Sequence, residues 1–308
     1  MSVGIMSCSP VNYGIRQTSR SYSAYMKGLL TDRMGSFEEA TAYYRKAQSL
    51  DQESPSPHVQ LGLQDIGRRN FERAALEFRA AVRLAPEDEQ ARYVLALVYA
   101  QLNDYKKAAG EYEILLQKSA ASLPRETQLR RTLSQLYFLD GDFASAKRQT
   151  EKILQLNPLD QDALYFMGLV ASEEGRDGEA VAFFKKVLAY YPDDMDAANS
   201  LAFQYARQGE HLPEALDLAL RTTGDDASNG AYLDTLGWVY FQLGDFEKAA
   251  AILERASKLL LDPVIVNHLA ACYEKMGDND KAGQYWEMSL ALDPFQQDVR
   301  LKLKNLKP

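Results

Sequence analysis

The chain repeats itself at an interval of about 34 residues, and a period of that length leaves few folds open. The clearest copies are Gly-Asp-Phe-Ala-Ser-Ala at 141–146, Gly-Asp-Phe-Glu-Lys-Ala at 244–249 and Gly-Asp-Asn-Asp-Lys-Ala at 277–282. Each opens an apolar segment with helical spacing. Stepping along the 308 residues gives eight units: 21–54, 55–88, 89–122, 127–160, 161–194, 195–229, 230–262 and 263–296. The sixth has an extra residue near His211-Leu212-Pro213, and the seventh is one short. Ser122-Leu123-Pro124-Arg125-Glu126 reads as a joint between the third and the fourth.

Small residues hold the register. The eighth place reads Gly28, Gly62, Ala96, Ser134, Gly168, Ala202, Gly237 and Ala270. The twentieth is Ala40, Ala74, Ala108, Ala146, Ala180, Ala215, Ala249 and Ala282. Such residues mark helices in close contact, where a larger side chain would force them apart. The seventh place is apolar (Leu61, Leu95, Leu133, Met167, Leu201, Leu236, Leu269), and Tyr44, Phe78, Tyr112, Phe184 and Trp286 recur near the twenty-fourth. The i, i+3, i+4 spacing predicts two antiparallel helices per unit. Gly35, Gly141, Gly175, Gly209, Gly244 and Gly277 suit the left-handed end of the first helix. Ser36, Asn70, Asp104, Asp142, Asp245 and Asp278 suit the N-cap of the second, with Ser36-Phe37-Glu38-Glu39 reading as a capping box. Pro86, Pro158, Pro192 and Pro294 close second helices.

This combination, with Tyr99, Tyr137, Tyr205, Tyr240 and Tyr273 in the eleventh place, resembles the tetratricopeptide repeat family over 21–296. The resemblance implies an all-α, right-handed α-solenoid of about eight helix-turn-helix units, stabilised by nearest-neighbour contacts. Lys27, Thr31 and Asp65 depart from the apolar pattern, so the first unit is expected to fray or to act as a cap. Residues 1–20 carry no acidic residue and no helical period, and read as a disordered tether. Residues 297–308 read as a C-terminal solvating helix that packs Val299, Leu303 and Leu306 on the last repeat.

The available chemistry is narrow. A formal net charge of −8 without a basic stripe argues against nucleic acid and anionic membrane surfaces as partners. No apolar run is long enough to span a membrane. The two cysteines, Cys8 and Cys272, form no zinc or disulfide pattern, and His58, His211 and His268 lie far apart, so no metal site is expected. Asp140-Gly141-Asp142 lacks the rest of a calcium loop and reads as a turn between helices. No phosphate-binding loop, nucleophile elbow, zinc-protease or dinucleotide fingerprint occurs. The repeats occupy nearly all of the chain, so no enzyme activity and no cofactor are expected.

Binding is the expected function. The resemblance implies that the second, fifth, ninth, twelfth and thirteenth places of each first helix line a concave face. Residue by residue, that face receives Tyr22, Tyr25, Leu63, Tyr93, Leu97, Phe138, Tyr165, Leu169, Phe203, Trp238 and Phe241. Its polar members are Gln90, Gln128, Arg131, Gln135, Asp162, Asn199, Arg207, Asp234, Asn267 and Lys275. The core of the expected groove is Tyr93, Gln128, Arg131, Tyr165, Asn199, Phe203, Asp234, Trp238 and Phe241, with a peptide or partner helix as ligand. Trp238 follows Gly237 and is expected to point away from the small-residue contact. The opposing reading is that these rings are core: Phe203 and Phe241 would then fill the neck between adjacent repeats. A carboxylate clamp of the chaperone-docking type is not expected, because Tyr25, Leu29 and Gln60 stand where its cations and amides belong.

Val3-Gly4-Ile5-Met6-Ser7-Cys8 resembles the end of a bacterial lipoprotein signal, with Cys8 as the lipidated residue. Residues 232–240 resemble bacterial envelope proteins with many repeats. Two readings of location follow. One is an outer-membrane lipoprotein on the periplasmic face, if the true start lies upstream, assisting secretion, pilus or polysaccharide-export assembly. The alternative is a cytoplasmic scaffold. Self-association as a homo-oligomer is a further expectation, since repeat ends expose apolar helix faces when caps are weak.

Overall fold

The computed structural model describes residues 19–118, 123–224 and 228–306, and seventeen helices run through them. Eight pairs follow in order, from α1 (Ser19–Arg33) and α2 (Phe37–Leu50), α3 (Pro55–Gly67) and α4 (Phe71–Leu84), α5 (Glu89–Gln101) and α6 (Tyr105–Lys118), to α7 (Leu123–Leu139) and α8 (Phe143–Leu156). Then come α9 (Gln161–Glu173) and α10 (Asp177–Tyr190), α11 (Met195–Gln208) and α12 (Leu212–Thr223), α13 (Gly230–Gln242) and α14 (Phe246–Leu259), and α15 (Pro263–Lys275) and α16 (Asn279–Leu292). The last helix is α17 (Gln297–Leu306). The chain divides into two compact units, 1–149 and 150–308, with the division inside α8.

Within each unit the helix of a pair packs on its mate, and the second helix of a pair packs on the first of the next. The small residues act as the register requires. A Cβ placed on Gly28, Gly62 or Gly168 would meet the ring of Tyr44, Phe78 or Phe184, and one on Gly237 would meet Leu253. The eighth residue of one helix is thus the seat of the twenty-fourth on its partner, which explains why those rings are fully buried. The core of unit 1 centres on Phe78, Leu95, Tyr112 and Leu133, with a smaller cluster of Ala40, Tyr44 and Leu61. Unit 2 is built on Phe184, Leu201 and Tyr205, and on Leu253, Leu269 and Trp286, with Val299, Leu303 and Leu306 of α17 packed against the latter group.

The six turn glycines all adopt positive φ. Where the second and third repeats lack glycine, Arg69 and Asn103 take the same conformation, at φ 60° and 57°. Asp104, Asp142, Asp245 and Asp278 accept backbone N–H bonds three residues on. Ser36 and Asn70 make no side-chain cap bond, so the expected capping box is absent. First helices have caps of their own, with Asp88, Asp160, Asp194, Asn229 and Asp262 accepting from the opening turn. Two boundaries differ from expectation. Helix α1 opens at Ser19, and Ser21 is buried with its hydroxyl donating to the Ala47 carbonyl at 2.9 Å, so the ordered repeat starts inside the expected tether. Leu123-Pro124-Arg125-Glu126 form the first turn of α7, with Pro124 in the opening turn where a missing N–H costs nothing. Asp140-Gly141-Asp142 is a helix–helix turn. The Asp142 carboxyl is held below its usual range, chiefly by the Ser145 hydroxyl and then by the Ser145 N–H.

Candidate functional site

The expected groove residues fall in both units, and each unit gathers its own. In unit 1, α5 and α7 enclose an open pocket of about 410 Å³. Glu89, Gln90 and Tyr93 line it from α5, Arg125, Gln128 and Leu129 from α7, and Leu115 from α6. The exposed Tyr93 ring leans edge-on against the buried Tyr112, with centroids 5.8 Å apart. Arg125 donates to Glu89 at 2.5 Å, so the charges of that pair are mutually engaged. Tyr93 and Gln128 are therefore brought together. Arg131 does not line this pocket; it is half-buried in α7 and already engaged in interactions of its own.

In unit 2 the rings of α11, α13 and α15 form a connected strip. The Trp238 indole lies nearly parallel to the Phe241 ring, 4.5 Å away, and to the His268 imidazole, 4.1 Å away. Phe203 adjoins His268 at 6.5 Å, and Phe246 meets Phe241 edge-on at 5.3 Å. Tyr165 and Ser200 share a hydrogen bond of 3.2 Å, and burial raises the Tyr165 hydroxyl above the ordinary phenol range while Ser200 pulls the other way. Tyr232 donates to Asp196 at 2.7 Å, and burial and that bond push its hydroxyl up to about 12.

The burial of the strip bears on both the groove and the core readings. Phe203, Trp238 and Phe241 do pack between repeats, as the core reading requires, yet none is sealed: they and Tyr165 remain half-buried, unlike the fully enclosed rings of Tyr44, Phe78, Phe184 and Trp286. Two polar members differ from their expected role. Asp234 is buried, accepts from His268 Nδ1 at 2.8 Å and is not available to a partner. Asn267 is similarly engaged, accepting from the Trp286 indole N–H at 2.9 Å. Asn199 differs from both, because its buried Oδ1 has no hydrogen-bond partner. Arg207 is paired with Asp177. Tyr22, Leu63 and Leu97 are exposed, and Tyr25 is half-buried against Tyr44 at 5.9 Å.

Sequence reasoning missed His268, which sits at the centre of the strip. It holds the sixth place of the last repeat, outside the five places read as groove. The signal was its register: the sixth place of one first helix faces the ninth of the helix before. Cys8 lies outside the described residues. Among the described residues, no cluster of three His, Cys, Asp or Glu side chains is placed to hold a metal, and no helix is long and apolar enough to cross a membrane.

Stacked helix pairs that repeat at this interval, with rings seated on small residues between them, define a helical repeat protein. Tetratricopeptide repeat models match residues 21–54, 59–122, 132–194, 193–262 and 235–296, and the chain belongs to that family. It is 25% identical over 309 aligned residues to the protein CTR9 homolog of Arabidopsis thaliana, covering 84% of this chain and 27% of that one. It is 26% identical over 185 residues to the type IV pilus assembly protein PilF of Pseudomonas aeruginosa, covering 57% of this chain and 69% of the relative. A tetratricopeptide repeat protein from Parabacteroides merdae shares the fold, with TM-score 0.69 and 15% identity over 84% of this chain and all of that one. The chain spans between about a quarter and a half of the first curated relatives it matches.

Proposed function

We propose that this chain is a non-enzymatic scaffold that holds a peptide segment or helix of a partner protein against the Phe203–Trp238–Phe241 strip of unit 2. The observation that carries the reading is the incomplete burial of that strip. Aromatic surface left partly in water is surface whose burial would be favourable. Rigid rings supply contact area with little loss of side-chain freedom. Membership in a family whose repeats imply protein–protein interaction supports the reading.

The test is affinity capture from native extract with the wild-type chain beside a Trp238→Ala variant. A partner held in the strip is expected to lose about 2 kcal/mol or more, roughly thirtyfold in affinity, while helicity at 222 nm is retained. A partner captured equally by both places the interaction elsewhere and sinks the groove reading.

A second reading rests on the likeness to the pilus assembly protein. In it the chain is an envelope lipoprotein that assists assembly of a secreted or surface structure, anchored through Cys8. Mass spectrometry of the protein from its native host tests this, because diacylglyceryl on a mature N-terminal Cys8 is the required outcome and an unmodified thiol refutes it.

A further inference from the structure

The outer face of α1 presents an apolar stripe that no element covers among the described residues. Tyr22, Met26 and Leu30 follow at four-residue spacing and so share one face of the helix, and Met34 comes next in the turn that ends it. All four are exposed, Leu30 at 57% and Met34 at 80%. The repeat register shows what such a face is for. Leu30 holds the tenth place of its repeat. In the third to eighth repeats that place is Val98, Leu136, Val170, Gln204, Val239 and Cys272, every one of them buried. The place faces the preceding repeat, as its polar members show: Gln204 donates to Ser172 of α9, and Gln64 of α3 donates to Asp32 of α1 at 2.9 Å. Leu30 thus fills the slot that a preceding helix covers elsewhere in the fold.

The charges around the stripe select the occupant. Arg20 and Lys27 lie along one border, and Arg33 falls on the same face at its C-terminal end. The single acidic residue of α1, Asp32, is turned to the opposite side, toward Gln64. A second copy is disfavoured on both available geometries. Two α1 faces would bring like charges together, and the outer helix at the other end of the repeats, α17, carries Arg300, Lys302 and Lys304. The stripe is one residue wide per turn and matches a helix better than a lipid surface.

We propose that this face docks an amphipathic helix of a partner protein whose apolar stripe is flanked by Asp and Glu, completing the repeat stack at its open end. The site is separate from the unit 2 strip, and its test does not depend on that reading. The probe is a fluorescein-labelled synthetic helix about 18 residues long, with leucines on one face and glutamates beside them. Its twin has lysine at each glutamate. Binding to the full chain is followed by fluorescence anisotropy. The glutamate peptide is expected to bind, and the lysine twin to bind about tenfold more weakly at low salt. Leu30→Glu, an exposed change that leaves helicity intact, is expected to abolish binding of the glutamate peptide, whereas Trp238→Ala leaves it unchanged. Equal binding of the twins, or no binding of either, overturns the proposal. So does light scattering that shows a dimer dissolved by Leu30→Glu, which would make a second copy the occupant. Association with phosphatidylglycerol vesicles that Leu30→Glu removes, without peptide binding, would make the face a membrane contact instead.

Discussion

Replacing Gly168 by alanine adds one methyl group at a position where the structure leaves no room for it. The new Cβ would lie 2.4 Å from Cε1 of Phe184, 2.8 Å from Cδ1 and 2.9 Å from Cζ. Ordinary contact begins near 3.4 Å, so the ring must withdraw by roughly half an ångström to an ångström. Phe184 cannot do so easily, because it is 1% exposed and packed among Ala171, Ala180 and Leu201. Overpacking of this kind costs about 1–3 kcal/mol. The gain in helix propensity from glycine to alanine offsets up to about 1 kcal/mol of it. Because the Phe184 ring is fully enclosed, the overpacking cost falls at the upper end, about 2–3 kcal/mol, and the expected net loss is about 1–2 kcal/mol. The control is Gly283→Ala in α16 of the same unit, where a Cβ meets nothing within 4 Å. There only the propensity term acts, and the variant is expected to gain about 0.5–1 kcal/mol. Urea denaturation followed at 222 nm compares the three proteins. The pair must move in opposite directions. A Gly168→Ala protein as stable as wild type would show that the eighth-place glycine is not a packing constraint, and the reading of the repeat register would fail with it.

Buried and capping groups give three further predictions. Burial, and secondarily the Asp234 carboxylate, push the Cys272 thiol up to about 12, so it should resist alkylation by iodoacetamide at pH 8.5 and react fully only in denaturant. Because the folded pKa exceeds the ordinary thiol value, this group's contribution to stability is complete below about pH 8.5 and is lost as pH rises toward 12. Alkaline denaturation should accordingly shift upward in a Cys272→Ala variant measured against its own neutral-pH stability; an unchanged profile refutes the assignment. Asp194→Ala removes the acceptor of the Ala197 N–H, a 2.8 Å cap, and should cost about 1 kcal/mol, whereas Ser36→Ala should cost nearly nothing in the same thermal melt.

The repeat interval, the partition into helix pairs, the eighth-place contacts and the turn glycines were all legible in the residues. Each is a local demand that recurs along the chain: a helical period, a left-handed turn and, at Gly28, Gly62 and Gly168, a missing Cβ opposite a ring. Repetition made them readable, because one unit's irregularity is corrected by the others. The details that depend on a single geometry were not legible. Ser36 and Asn70 have the right chemistry for a cap yet make no cap bond, and Arg69 and Asn103 enter a conformation usually left to glycine because the turn between packed helices demands it. The groove residues show the same limit. Their positions follow from the register, but whether a polar side chain faces a partner or a neighbour depends on how adjacent helices are staggered. Asp234 and Asn267 share the fifth place with Asn199. One is bound to His268, another to Trp286, and Asn199 alone keeps an acceptor without a partner. The sequence by itself determined the helices, their pairing and the faces they bury, since those rest on patterns within one unit. Only the tertiary structure decided that His268 completes the Trp238 stack and that the α1 stripe stands uncovered. Contacts between residues 30 positions apart, as Trp238 and His268 are, or with nothing at all, leave no local trace in a sequence.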